Sequence, residues 1–146
     1  MAVSEERRAA HTQHATQLPS NYDWSKVKID SSNLSHCLKM EGPFKELVRR
    51  CQEEEFNEDI QQLRRNRPLN RTSRLQQLSP FLDSDGILRL GGRIRRARLP
   101  YDVLHPPILP GKHVFAEAIV TALHTEAHHV GTDFLHSKAR QHFWIL

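Results

Sequence analysis

Only 2 of the 146 residues are cysteine, only 7% are aromatic, and no apolar run reaches membrane-spanning length. Each shortage excludes something. Cys37 and Cys51 stand fourteen positions apart with no second pair, which is neither a disulfide framework nor the paired spacing of a zinc knuckle. Reduced thiols are the expectation. A membrane helix needs roughly eighteen or more apolar residues in succession, and the opening MAVSEERRAAHTQ lacks the apolar centre of a secretory signal. The chain therefore reads as intracellular, in nucleus or cytoplasm, with no membrane partner. The sequons at Asn33 and Asn70 gain no meaning without a secretory route. With 38% hydrophobic residues and a mean hydropathy of -0.62, one small domain with loosely ordered flanks is the expected scale. Catalytic patterns are scarce too. There is no nucleophile paired with a base, no glycine-rich phosphate loop and no carboxylate cluster next to a cleft, so the chain does not read as an enzyme.

What is present is positive charge and histidine. Lys plus Arg outnumber Asp plus Glu by 21 to 17, for a net charge of +4 and a pI near 9.4, which suits a polyanionic partner such as nucleic acid. Arg89, Arg93, Arg95, Arg96 and Arg98 place five guanidinium groups within ten residues that contain no acid. They form either a solvated loop or a set of phosphate contacts, since the planar guanidinium fork matches phosphate oxygens. A second group, Arg64, Arg65, Arg67, Arg71 and Arg74, follows the acidic run Glu53-Glu54-Glu55 and carries less weight for that reason. At the end of the chain His124, His128, His129, His136 and His142 crowd into twenty-three residues. A structural zinc site needs four ligands, and neither cysteine is in this stretch. By spacing alone, His124 with His129 and His124 with His128 are competing pairs, beside the reading of all five as solvated helix ends.

The expected architecture is α+β, mainly helical with a small antiparallel hairpin. Residues 1–42 show no helical or strand period and read as a disordered lead. Residues 43–66 form a helical segment: Pro43 suits a helix start, Phe44, Leu47, Val48 and Cys51 share a face, and Asn57 marks a break before Ile60 and Leu63. Residues 67–78 read as a basic linker. Residues 79–146 contain a hairpin of Phe81-Leu82 against Ile87 to Leu90 across Asp85-Gly86, and then Gly91-Gly92 as a bulge or turn. Further on, Ile108-Leu109 is a short extended piece that its prolines hold at a sheet edge. A helix over about 112–127 carries Phe115, Ala118, Ile119, Ala122 and Leu123. A last helix, capped by Thr132, sets Phe134, Leu135, Ala139 and Phe143 on one side before Trp144. If the two longer amphipathic segments found no partner within the chain, they could dock another protein through Phe44, Leu47, Phe115 and Ile119.

From Pro43 to Leu146 the chain resembles the integrase-proximal segment of BEL/Pao-type LTR retrotransposon polyproteins. The marks are LSPFLD from Leu78, GGR at Gly91 to Arg93, Leu99-Pro100-Tyr101, the block HPPILP, and His124-x4-His129-x-Gly131 followed by Phe143-Trp144. Residues 1 to about 42 fall outside the resemblance. It implies that His124 and His129 are the first half of a His-His-Cys-Cys zinc-binding domain, with His128 a bystander. The cysteine pair is expected beyond Leu146, so this chain should hold zinc weakly or not at all. The resemblance further implies a non-catalytic piece of an integrase region, whose partners are nucleic acid, bound without sequence preference and chiefly as DNA, and the rest of the integrase or polyprotein.

Overall fold

The computed structural model describes residues 22–92, 98–126 and 138–146. In chain order they form a short helix α1 (Leu34–Leu38), a long helix α2 (Phe44–Arg64), strands β1 (Phe81–Leu82) and β2 (Leu88–Arg89), and a one-turn helix α3 (Tyr101–Leu104). Strand β3 (Ile108–Leu109), helix α4 (Val114–Glu126) and strand β4 (Trp144–Ile145) complete the set. This is an α+β arrangement, mostly helical, with a small antiparallel hairpin. None of these helices is long and apolar enough to cross a membrane.

The hairpin forms as its residues dictate. Phe81 pairs with Arg89 and Leu82 with Leu88. Asp83 organises the turn between them, because its Oδ1 accepts from the backbone N–H of Asp85 at 2.8 Å and of Ile87 at 3.0 Å. Strand alternation then assigns neighbours to opposite faces. Ile87 joins a core cluster with Leu47, Val48, Cys51, Phe115, Ile119 and Phe143, while Leu88 joins a second one with Phe56, Ile60 and Leu75. Leu109 and Ile108 divide between the same two clusters. Burying a side chain such as Phe115 or Ile119 contributes about 1.5–3 kcal/mol each.

Helix α2 serves both clusters along its length, with Leu47, Val48 and Cys51 in the first and Phe56 and Ile60 in the second. The break expected near Asn57 falls one residue earlier, at Phe56, where φ is -122° and ψ 28°. The helical stretches on either side thus meet across a kink. At the boundary between its two halves, Gln52 is fully buried. Its Oε1 accepts from Leu88 N–H at 2.9 Å, and its Nε2 donates to the carbonyls of Leu88 and Ile108, both at 2.8 Å. A side-chain amide thus stands where a strand-to-strand ladder would otherwise run between β2 and β3.

Two expectations are corrected. The lead was expected to be disordered to residue 42, yet over residues 22–42 it is ordered: Leu34 and Cys37 are buried in the first cluster, with Tyr22, Trp24, Val27 and Ile29 packed against it. Leu34 and Cys37 share a face of α1, which at five residues is too short to display a helical period. Residues 1–21 lie outside the described residues. Ile108-Leu109 lies at a sheet edge as expected, since it pairs with Trp144–Ile145 alone in a two-stranded sheet, although both side chains are buried. Its neighbours Pro106 and Pro107 act as acceptors, from Leu90 N–H at 3.0 Å and Trp144 N–H at 2.8 Å, so their lack of N–H leaves nothing unpaired. Finally, Phe143 does not lie on the last helix. The helical turn stops at Arg140, and Trp144–Ile145 runs parallel to Ile108–Leu109. Gly111 permits this docking, since a Cβ there would lie 2.1 Å from the Leu146 carbonyl oxygen that its own N–H bonds at 2.8 Å.

The segments read as separate units, 43–66 and 79–146, share both core clusters, and the basic linker contributes Leu69 and the fully buried Leu75 to the second. If Gln52 ties them together, Gln52→Leu should cost about 3 kcal/mol in urea unfolding, because it strands one buried N–H and two carbonyls. A loss under about 0.5 kcal/mol would show that the strands satisfy these groups another way.

Candidate nucleic-acid interface and zinc half-site

Of the five arginines expected to meet phosphate, Arg89 is placed against that role. It is 6% exposed on β2. Its Nε donates to Asp83 Oδ2 at 2.6 Å, and its Nη1 donates to Asp102 Oδ1 at 3.1 Å and to the His105 carbonyl at 2.8 Å. Its guanidinium carbon lies 5.2 Å from the centre of the Tyr101 ring. Phosphate contact would break these pairings and uncover a core residue, so Arg89 is a structural tie between the hairpin turn and α3. The acids that engage it lie outside the acid-free window in which the sequence presented it. Arg98 is exposed. Arg93, Arg95 and Arg96 lie outside the described residues.

Arg89 closes the base of the loop that carries the other four. His105 Nδ1 lies 2.9 Å from the Leu90 carbonyl, to which it donates, and Leu90 N–H reaches the Pro106 carbonyl at 3.0 Å. Gly91 sits tight beside this base, since a Cβ would come within 1.9 Å of the Ser79 carbonyl oxygen. The chain thus leaves at Gly91 and returns at His105 from two points held side by side.

His124 occupies the last turn of α4 and is exposed, one residue after the buried Leu123. His128, His129 and His136 lie outside the described residues, as do Thr132, Phe134 and Leu135. The His124–His129 pair therefore remains an expectation from sequence. The segment that holds it is flanked by anchored structure: α4 enters it with Ile119 and Leu123 in the core, and Ala139 and Phe143 leave it buried in the same cluster. His142, expected on the surface, is half-buried. Burial, with Lys138 and Lys39 nearby, lowers its pKa. It lines a cavity of about 210 Å³ with Lys39, Asp102 and Gln141.

The thiols are unsuited to complete the site. Cys37 and Cys51 are both fully buried, and burial pushes the Cys37 thiol up to about 12. Cys51 is pushed higher still, by burial first and then by the charges of Glu54 and Glu55. Zinc binds thiolate, and these groups resist forming it. Among the described residues no three of His, Cys, Asp or Glu come together as a metal site.

One polar cluster was not legible in the sequence. Glu54 accepts from Trp24 Nε1 at 2.9 Å and lies 2.6 Å from His113 Nε2. Phe115 N–H donates to His113 Nδ1 at 3.0 Å, so Nε2 carries the proton given to Glu54 and His113 caps the start of α4. Burial opposes the Glu54 charge, but the bonds from His113 and Trp24, with the Arg50 charge, hold its pKa below the usual range. The cluster fastens the lead segment to α2 and α4. A tryptophan in an aperiodic stretch gave no signal of it. The residues named for docking another protein are likewise taken up internally: Leu47, Phe115 and Ile119 are at most 6% exposed, and Phe44 packs against the same core. That face is not available to a partner.

Comparison with known proteins finds no matching family model, no matching curated protein and no matching solved structure.

Because Arg89 is structural, Arg89→Ala should lower stability by about 3 kcal/mol, leaving the partly buried Asp83 without its cation. Under conditions where the variant stays folded, the salt dependence of its DNA binding should match wild type. A flattened salt slope with unchanged stability would restore Arg89 to the phosphate-contacting set.

Proposed function

We propose that this chain is a non-catalytic segment of a BEL/Pao-type retrotransposon integrase region, associated with nucleic acid and carrying the histidine half of a His-His-Cys-Cys zinc site. The observation that carries the reading is the order of marks from LSPFLD to the histidines, taken with the exposed position of His124 at the end of an anchored helix. A zinc-binding loop gains its geometry from fixed ends, and residues 127–137 are flanked by two segments buried in one cluster. His124 and His129 would supply two imidazole nitrogens. The thiolates of a downstream C-x2-C would supply the negative charge that offsets the ion and much of the binding energy. The carboxylates that hold catalytic metal in such integrases belong to a core outside this segment, so strand transfer is not assigned to it. Its partners would be DNA and the remainder of the integrase or polyprotein, inside the nucleus or cytoplasm.

The chain as it stands should hold zinc weakly. Extended by a downstream segment bearing C-x2-C, it should bind one zinc per chain, and at about a hundredfold excess over Kd the metal should stabilise the fold by about 2.7 kcal/mol. In the extended chain, His124→Ala and His129→Ala should each abolish that gain, whereas His128→Ala should keep most of it. Zinc titration with thermal unfolding checks this. A tight stoichiometric site within the 146 residues that needs His128, His136 or Cys37 would overturn the half-site.

The loop arginines Arg93, Arg95, Arg96 and Arg98 should bind DNA through phosphate, without base preference. Each phosphate neutralised contributes about -0.9 to the slope of log affinity against log salt, so Arg93→Ala, Arg95→Ala and Arg96→Ala together should flatten it by about 2.7. Anisotropy titrations across salt measure this. A slope unchanged by the triple substitution would remove these arginines from the interface.

A further inference from the structure

The exit of α2 builds a second arginine surface that its acidic neighbours do not neutralise. Asn66 adopts the left-handed conformation, with φ 54°. Its N–H bonds the Leu63 carbonyl at 3.2 Å, and Arg67 N–H bonds the Gln62 carbonyl at 2.9 Å. This pair of bonds is a Schellman termination, and it fixes the backbone of Arg65 and Arg67 on either side of Asn66. The chain then touches the second core cluster at Leu69 and again at the fully buried Leu75. Between those anchors lies a turn in which Asn70 Oδ1 accepts from Thr72 N–H at 3.2 Å and the Asn70 carbonyl from Ser73 N–H at 3.0 Å. Arg71 stands exposed in that turn.

By proximity in sequence, the run Glu53-Glu54-Glu55 appeared to offset this cluster. The contacts are otherwise. Glu53 lies 3.6 Å from Arg50 and 3.7 Å from Arg64. Glu54 is held by Trp24 and His113. Arg74 stacks over Phe56, 5.7 Å from the ring centre. Arg65, Arg67 and Arg71 remain exposed, and among the described residues none of the three has a carboxylate within ion-pair distance. Three free guanidinium forks on a backbone already ordered by folding can take phosphate oxygens with little further ordering and without breaking any ion pair.

We propose that Arg65, Arg67 and Arg71 form a second phosphate-contacting surface for nucleic acid. The proposal rests on the nucleic-acid part of the reading above and extends it to a surface that the family resemblance did not single out. It does not depend on zinc. Two separate arginine groups on one small fold would add their phosphate contacts, giving the full chain a steeper salt dependence than the loop at 93–98 produces alone.

The test uses the full chain and a mixed-sequence DNA duplex of about 20 base pairs, followed by anisotropy between roughly 50 and 200 mM salt. The triple variant Arg65→Ala, Arg67→Ala, Arg71→Ala should weaken binding by tenfold or more at the lower salt and flatten the slope by about 2.7, while the corresponding triple lysine variant keeps the slope. Combining the alanine triple with Arg93→Ala, Arg95→Ala and Arg96→Ala should remove both increments. Thermal unfolding should be unchanged, because the three side chains are exposed. If the triple variant proves unstable, Arg67→Ala and Arg71→Ala singly decide the matter, each expected to remove about 0.9 from the slope. An unchanged slope in the 65/67/71 variants, with flattening in the 93/95/96 variant, overturns this proposal and leaves the earlier reading intact. Absence of any duplex binding by the wild-type chain overturns both.

Discussion

The amide of Gln52 is the constraint on which the arrangement depends. A helix has been brought against a sheet at the place where β2 and β3 do not pair fully, and the peptide groups exposed there are buried from water. Gln52 offers one acceptor and a donor shared between two carbonyls, which matches Leu88 N–H, Leu88 C=O and Ile108 C=O. No apolar residue could do this, and an ionised Glu could accept from the N–H but not donate to the carbonyls. Because Gln52 lies between the residues that feed the two core clusters, the same contact sets the position of α2 relative to both faces of the strands.

Charge is used in two ways in this molecule. Some charged groups are engaged within the chain: buried Arg89 by Asp83, Asp102, the His105 carbonyl and the Tyr101 ring, and the exposed Glu54 by His113 and Trp24. These groups join segments far apart in the chain. Outside, Arg65, Arg67, Arg71 and Arg98 are left to solvent. A net charge of +4 says nothing about this division, and only the division bears on which arginines meet a polyanion.

The elements most legible beforehand were those with a strong local signal. The hairpin appeared where alternating apolar residues flank an Asp-Gly step, and α2 and α4 appeared where the apolar residues recur at helical spacing. The break near Asn57 showed itself because a capping residue and two acids follow an acidic run, and the kink lies at Phe56. The lead segment was misread because Leu34 and Cys37 share a helix of only five residues, too short to display a period, and Trp24 docks apart from it. Strand β4 was misread for a related reason. Two residues are too few to display alternation, and a parallel partner thirty-six positions earlier leaves no local trace.

By itself, then, the order of residues determined the hairpin, the long helices, the shortage of thiols and the crowding of histidine and arginine, because each depends on neighbours a few positions away. Only the tertiary structure decided what the charged and polar groups do. Arg89 became an internal tie and Glu54 a fastening for the lead, through partners six to fifty-nine positions distant. Arg65 and Arg67 remained open, while Glu53 and Glu54 of the acidic run are engaged by Arg50, Arg64, Trp24 and His113. The physical reason is that hydrogen bonds and ion pairs act over a few ångströms in space, and distance along the chain does not report distance in the fold.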